Sequence, residues 1–428
     1  MNIDVNYKNK RRTNLAKYPI RQPIFIVWLI WILSKILLIG KKYKVEKINM
    51  EGLKPPYMIL SNHMYFVDFE LAALATFPHR VNNVVHIDGY YRRTWLMDLI
   101  GTVGTRKFTT DFHLVKSIKE VLRRGDILCM YPEARYSPCG VTSFIPDSIG
   151  ALIKRNKTPV VAIVHRGNHL HTPFWNFRKK RKVPLHTTMT KILTVEDIEK
   201  MSIEEINAAV KKALTYDDYK YQKENGILIT EPYRAEGMHK ILYKCPHCKT
   251  ERKMSSAGAE IFCTECGKRW TLNEDGTLSA NEGETEFSHV PDWFEWERRE
   301  VIAEVERGEY SFADEVDVYS EPRGFNFVHL GKAKITHDAE NGFLLEGEYN
   351  GETYRVNRAP LQNNSLHIEY DYCYLKPLDC FEISTDNDSF TCYPQTEKDI
   401  VTKMGFATEA IYAMHERKRL EKRKKNAE

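Results

Sequence analysis

A chain of 428 residues with 42% apolar side chains is long enough for two to four domains with real cores. Net charge is only +5 but uneven: residues 1–21 hold six Lys/Arg against one acid, Arg178-Lys179-Lys180-Arg181-Lys182 is an unbroken basic run, residues 417–425 add seven bases, and residues 274–317 hold fifteen acids against three bases. Nine cysteines, an odd number, and no secretory cleavage site argue against a disulfide framework and for a reducing compartment, while the clustered bases suit an anionic surface, membrane or nucleic acid.

Residues 1–42 read as a basic N-terminus and a membrane-interface helix. The apolar segment 24–39 has 16 residues, and a helix of that length is ~24 Å long against a bilayer core of ~30 Å. Lys35 interrupts it, and bases flank both sides: Arg11, Arg12, Lys17 and Arg21 before, Lys41, Lys42 and Lys44 after. The positive-inside rule therefore assigns no direction. A helix lying in the cytoplasmic leaflet is expected, anchored by Trp28 and Trp31; a spanning helix is the alternative.

Within residues 43–220, apolar β-type runs at 58–60, 84–87, 127–131 and 160–164 alternate with helical patterns at 69–77, 95–100, 112–122 and 149–153. That alternation predicts an α/β domain with a largely parallel sheet flanked by helices. A helix at 203–214 closes it, with Ile203, Ile206, Val210 and Leu214 on one face. Ligands of such sheets bind beyond the carboxyl ends of the strands. Polar groups stand there: Asn62-His63 after the first run, Glu133-Ala134-Arg135 after the third, His165-Arg166 after the fourth. His63 and Asp68 form a candidate base-and-orienter pair. On one continuous helix their side chains would diverge by about 140°. They meet only if His63 sits in a turn and Asp68 opens the next helix. The same residues also suit a core histidine beside a helix-capping aspartate.

Four blocks in this region resemble the membrane lysophospholipid acyltransferases, which include the 1-acylglycerol-3-phosphate acyltransferases. They are Asn62-His63-x-x-x-x-Asp68, Gly101-Thr-Val-Gly-Thr-Arg106, Tyr131-Pro132-Glu133-Ala134-Arg135 and Thr158-Pro159-Val160-Val161-Ala162-Ile163. The likeness covers about residues 20–218. It implies that His63 is the general base, that Asp68 fixes its tautomer, and that Asn62, Arg106, Glu133 and Arg135 bind substrate, the arginines through its phosphate. One departure stands out. The family's third block usually places Gly-Thr between Glu and Arg, whereas here only Ala134 intervenes.

Cys245-Pro246-His247-Cys248 and Cys263-Thr264-Glu265-Cys266 are fourteen residues apart. Two such knuckles predict a zinc ribbon at 240–275, with Cys245, Cys248, Cys263 and Cys266 holding one structural Zn2+ per chain. Four thiolates leave no open position, and no catalytic cofactor is expected. Tyr243, Phe262 and Trp270 are its expected core, and His247 a bystander.

An acidic linker and helix follow at 276–309. Short strands are expected at 314–319, 325–336, 342–348, 352–357, 365–374, 379–385 and 388–393, with Asn341-Gly342 and Asn350-Gly351 as hairpin turns. A helix at 397–420 closes this β-rich region. Seven strands and a closing helix over 310–416 resemble the pleckstrin-homology-like architecture, a pattern without a signature motif. A basic tail, 417–428, ends the chain.

The resemblance implies an O-acyltransferase of phospholipid biosynthesis on the cytoplasmic face of the cell membrane, peripheral or monotopic. Its partners would be the anionic membrane surface, an acyl-carrier protein or acyl-coenzyme A donor, and a lysophospholipid acceptor, lysophosphatidic acid first. Glycerol-3-phosphate or another lysolipid is the alternative acceptor. A catalytically degenerate membrane-anchored scaffold is the alternative from another class. Nucleic acid is not an expected partner.

Overall fold

Seven strands form the first sheet: β1 (Tyr43–Ile48), β2 (Met58–Ser61), β3 (Val81–His86), β4 (Val103–Thr105), β5 (Ile127–Met130), β6 (Val160–Arg166) and β7 (Leu185–Leu193). This computed structural model describes residues 2–7, 17–109, 111–323 and 326–425. The strand order is β1-β7-β6-β2-β5-β3-β4. β7 runs antiparallel to β6, and the other neighbours are parallel. Every residue of β2 and β5 is buried, as expected for central strands covered on both faces by helices. The carboxyl ends of β2, β3, β4, β5 and β6 therefore share one edge. β1, β4 and β7 go beyond the four strands expected from the apolar runs, and β3 begins at Val81. β7 carries an alternating pattern, with Leu185, Thr187 and Met189 buried in turn.

The apolar segment near the start folds as the helix Ile24–Leu37, 14 residues long. Among the described residues, no helix is long and apolar enough to cross a membrane. Ile26 and Val27 are buried, and Trp28 and Trp31 pack on Phe77 with centroids 4.7 and 4.8 Å away. Ile24, Phe25, Leu29, Ile32, Leu33 and Ile36 are exposed on the outer face. The residues just before this helix are bonded to the sheet domain. Arg80 Nε donates to Gln22 O (2.8 Å), Arg124 Nη2 to Ile20 O (2.9 Å), and Arg21 pairs with Asp126 (3.1 Å). Arg11 and Arg12 lie outside the described residues.

Four antiparallel strands make the ribbon: β8 (Met254–Ala257), β9 (Glu260–Cys263), β10 (Arg269–Leu272) and β11 (Leu278–Ala280). Ile261 and Trp270 are fully buried there, but Phe262 points to the other face of β9 under the Arg269 guanidinium, and so lies outside the core expected for it. The acidic segment is a structural helix, Val290–Glu306. Its Trp293 meets Trp270 edge to face at 5.0 Å, and its Phe294 meets Phe406 at 4.8 Å.

A second seven-stranded sheet, all antiparallel, follows: β12 (Ser311–Arg323), β13 (Asn326–Asp338), β14 (Gly342–Tyr349), β15 (Glu352–Arg358), β16 (His367–Glu369), β17 (Cys380–Ser384) and β18 (Ser389–Pro394). Its order is β15-β14-β13-β12-β18-β17-β16. The expected strand 365–374 shortens to three residues, and Asp371 just beyond has a left-handed φ of 49° that the ladder cannot continue through. The closing helix runs Val401–Lys425, so it takes in most of the basic tail. Residues 2–7 join this sheet: Ile3 exchanges main-chain hydrogen bonds of 2.8 and 3.1 Å with Arg355 of β15, and Val5 and Tyr7 are buried. One hydrophobic core runs from Leu170 and Trp175 through Ile261, Trp270 and Trp293 to Val316, Phe381 and Met404. The ribbon, acidic helix and β-rich domain thus share an interior.

Candidate active site and cysteine cluster

β2 ends at Ser61, and five residues separate it from the next helix, Val67–Thr76. Asp68 stands in its first turn, where free N–H groups and the helix dipole favour a carboxylate. Its Oδ2 accepts from Met64 N (2.6 Å), Tyr65 N (3.1 Å) and His63 Nδ1 (3.0 Å), and its Oδ1 accepts from Asn168 Nδ2 (2.7 Å). Burial alone would raise the Asp68 pKa, but the His63 hydrogen bond, nearby His165 and Asn168 hold it below the ordinary carboxylate value. Asp68 is fully buried, whereas the His63 side chain keeps 22% of its exposure. Burial lowers the His63 pKa, outweighing Asp68, so the imidazole is neutral at pH 7. With Nδ1 committed to Asp68, Nε2 is left as proton acceptor. The ring stacks on Tyr131 (3.8 Å, 21°) and tilts against Tyr136 (4.4 Å), and Ser137 N donates to His63 O at 2.8 Å.

The other expected site residues divide. Asn62 uses both amide atoms on the main chain of His165, at 2.9 and 2.8 Å, and so ties β2 to β6. Glu133 is buried; its Oε2 accepts from Ser143 N (2.8 Å), its Oε1 has no hydrogen-bond partner among the described residues, and burial pushes its pKa up to about 7. Arg106 is buried just beyond β4. It shares the edge with His63 but stands three strands from β2, about 14 Å at ~4.8 Å per strand. Arg135 departs from expectation. Its Nη2 pairs with Glu409 of the closing helix at 2.6 Å, and its Nη1 donates to Ser365 at 3.1 Å. A guanidinium so committed is not presented to a phosphate. Ala134 takes the left-handed conformation, φ 53°, so the shortened block still turns as a glycine would. Arg181, a member of the basic run 178–182, is buried against Trp175.

Two contributors escaped the sequence reading. Asn168 braces Asp68, and Asp218 accepts from Gly167 N (3.0 Å) and His169 N (3.1 Å), shaping the turn that carries Asn168. The β-rich domain also reaches the site: the charges of Glu369 on β16 and of Lys107 both act on His63. Cys129 is buried in β5, and burial pushes its thiol up to about 12, which suits packing rather than nucleophilic attack.

In the ribbon, Sγ of Cys245 and Cys266 are 3.8 Å apart, those of Cys248 and Cys263 are 3.7 Å apart, and all four lie within 4.8 Å of one another. Zinc–sulfur bonds of ~2.3 Å imply tetrahedron edges of about 3.8 Å. The knuckles close through Lys249 N to Cys245 O and Gly267 N to Cys263 O, both 3.0 Å. These cysteines can hold a metal ion such as zinc.

No protein-family model matches this chain, and no curated protein does. Among solved structures, the 1-acyl-sn-glycerophosphate (LPA) acyltransferase PlsC from Thermotoga maritima aligns at 17% identity over 44% of this chain and 78% of that one, with a TM-score of 0.35. A likeness at that level assigns no residue role.

Two outcomes are expected. Cys245→Ser with Cys263→Ser should release the ribbon's metal, as read by elemental analysis. Because the ribbon shares its core, hydrogen exchange should then rise in Val290–Glu306 as well as in the ribbon strands; protection unchanged outside residues 240–275 would contradict the shared interior. Arg135→Met should lower unfolding free energy by about 3 kcal/mol, since Glu409 stays buried with one cation fewer. If Arg135→Met instead left stability intact and raised only an acceptor's KM, the ion pair would not be its role.

Proposed function

We propose that this chain is a membrane-surface acyltransferase in which His63 removes the proton of an acceptor hydroxyl as that oxygen attacks an acyl thioester. The observation carrying this reading is the His63–Asp68 pair itself: a neutral, partly exposed imidazole at the carboxyl edge of a mainly parallel sheet, oriented by a buried carboxylate with four donors. The sequence resemblance supports acyl transfer over other uses of such a base. His63 Nε2 takes the hydroxyl proton, the new ester bond forms at the thioester carbonyl, and the departing thiolate recovers a proton from the imidazolium. Asp68 stabilises that imidazolium as it forms. No acyl-enzyme is invoked. The preferred acceptor is lysophosphatidic acid, with glycerol-3-phosphate as runner-up, and Arg106 is the proposed phosphate cation. The donor is an acyl-carrier protein or coenzyme A thioester. The zinc proposed for the ribbon is structural. The commitment of Arg135 to Glu409 favours the second reading, a degenerate scaffold, which predicts no turnover with any thioester.

Membrane association belongs to the same proposal. The exposed side chains Ile24, Phe25, Leu29, Ile32, Leu33 and Ile36 form an apolar face flanked by Lys17, Lys35, Lys41 and Lys42, which suits a helix lying in an anionic leaflet on the cytoplasmic side.

His63→Ala should lower acyl transfer to a lysophospholipid by about 10²–10⁴-fold without unfolding the protein. Neutral imidazole is the working form and its pKa is lowered, so the acid limb of the wild-type kcat/KM profile should fall below pH 6.5, with rate lost as pH drops through it. Retention of more than about a tenth of the rate in His63→Ala would sink the base assignment. Asp68→Asn is a poorer test, because it sets an amide N–H2 against existing donors. If wild-type protein transfers no acyl group across a panel of thioesters and lysolipids, the scaffold reading stands.

For the membrane, Phe25→Ser, Leu29→Ser and Ile36→Ser together should leave the fold intact. Each half-exposed side chain has about 1 kcal/mol of burial still to gain, so partition onto anionic vesicles should weaken roughly a hundredfold. Equal sedimentation of variant and wild type would exclude this face.

A further inference from the structure

Away from His63, the densest group of titratable side chains lies where the β-rich domain meets the first sheet. His86 ends β3, Asp88 stands in the following turn, and Lys107 lies just beyond β4. Facing them are His367 and Glu369 on β16, Glu382 directly opposite His367 on β17, and Glu321 on β12. His86, His367, Glu382 and Glu321 are all buried.

The geometry converges on a point. His86 Nε2 is 3.1 Å from Glu382 Oε1, and His367 Nδ1 is 3.5 Å from Glu382 Oε2. One ligand atom from each of the three residues lies within 4.8 Å of the others. Yet neither ring nitrogen of His86, nor Nδ1 of His367, is aligned for a hydrogen bond. Close approach without alignment is what ligands around a shared cation show. Zinc bonds of ~2.0–2.1 Å to nitrogen and oxygen imply ligand separations of about 3.3 Å. Of the outer nitrogens, His367 Nε2 donates to Glu369 Oε1 at 3.0 Å, while His86 Nδ1 lies 3.0 Å from Asp88 Oδ1 without hydrogen-bond alignment. Metal-bound histidines ordinarily present their second nitrogen to a carboxylate, which orients the ring.

Charge points the same way. Asp88, Glu321, Glu369 and Glu382 are four carboxylates, and the fixed cations acting on them are Lys107 and Arg106. Four carboxylates against two fixed cations leave two negative charges, to be met by protons on His86, whose pKa Glu382 and Asp88 hold up at about 10, and on Glu321, or by a bound cation. Glu321 is fully buried, and neither of its oxygens has a hydrogen-bond partner among the described residues. An uncompensated carboxylate is costly in such a place, and a divalent cation balances the excess.

We propose that His86, His367 and Glu382 bind one divalent transition-metal ion, zinc first, that clasps the β-rich domain onto the catalytic sheet. Glu382 contributes both oxygens, which completes four donor atoms and leaves no open position, so the ion is structural. Two imidazoles and a carboxylate suit zinc, manganese or iron(II) over magnesium or calcium. Lys107 Nζ, 2.8 Å from His367 Nε2, is the competing cation. This proposal is independent of the acyltransferase reading, and it adds a second metal to the one expected in the ribbon.

The test is metal stoichiometry in the full chain, purified without chelator. Wild type should hold one equivalent beyond the ribbon's, and Cys245→Ser with Cys263→Ser should keep that one. Adding His367→Gln should remove it. Cobalt(II) loaded into the cysteine variant should give ligand-field absorption without a thiolate charge-transfer band. If the cysteine variant does not fold, His367→Gln and Glu382→Gln are made in the ribbon-intact chain, where each should lower wild-type stoichiometry by one equivalent. The proposal is overturned if wild type holds only the ribbon's metal and takes up no more from micromolar zinc, manganese or cobalt. It is equally overturned if His367→Gln leaves stoichiometry unchanged, in which case protons and Lys107 balance the cluster.

Discussion

Glu409 lies between two guanidiniums. Arg135 comes from the loop after β5, Arg298 comes from the acidic helix, and Ser365 Oγ adds a third donor at 2.8 Å. Burial would raise this carboxylate's pKa, but Arg135 and Arg298 hold it below the ordinary value. A charge withdrawn from water must be matched in place, and here the two matching charges arrive from separate stretches of chain. The loop after β5, the acidic helix and the closing helix are fixed relative to one another by that requirement. The constraint reaches His63 through very few bonds. Two residues beyond Arg135, Ser137 N holds the carbonyl of His63. The β-rich domain thus acts on the candidate site through the main chain, besides setting the charge of Glu369 near the imidazole.

The site is built from aromatic and main-chain contacts around one ionic pair. Tyr131 and Tyr136 confine the imidazole, and the start of a helix confines the aspartate. As the proposed base, His63 would need little reorganisation on taking a proton, because Asp68 already has its four donors in place. Glu133 is different. A buried carboxyl near neutral pKa with one unengaged oxygen can change charge when a ligand enters.

Legibility followed sequence distance. β2, β5 and β6 were readable because central parallel strands are continuous apolar runs, and the His63–Asp68 pair was readable because both members fall within one strand-turn-helix unit. β1 escaped because Tyr43-Lys-Val-Glu-Lys-Ile48 mixes charge into an edge strand, and β4 because it is three residues long. The cysteine spacing announced its own cluster, since a knuckle is a local object. Asn168 had no signal in the sequence, being 100 residues from the carboxylate it braces. The ion partner of Arg135 had no local signal for the same reason: Glu409 lies on a helix far along the chain. Arg181 belongs by sequence to the basic run 178–182, and only the fold buries it against Trp175. Local patterns name the elements, but a charged side chain takes its role from whichever partner the tertiary fold delivers.

The pairing of Ile3 with Arg355 has a bearing on how the chain matures on the ribosome. The two residues are 352 positions apart. At about 5–20 residues per second, the early strand waits roughly 20–70 s before its docking edge is made. Val5 and Tyr7 remain without their burial site throughout that interval, while the first sheet already has all its strands. The later-made domain therefore captures a strand that leaves the ribosome long before it, and that strand is secured only when the β-rich sheet forms.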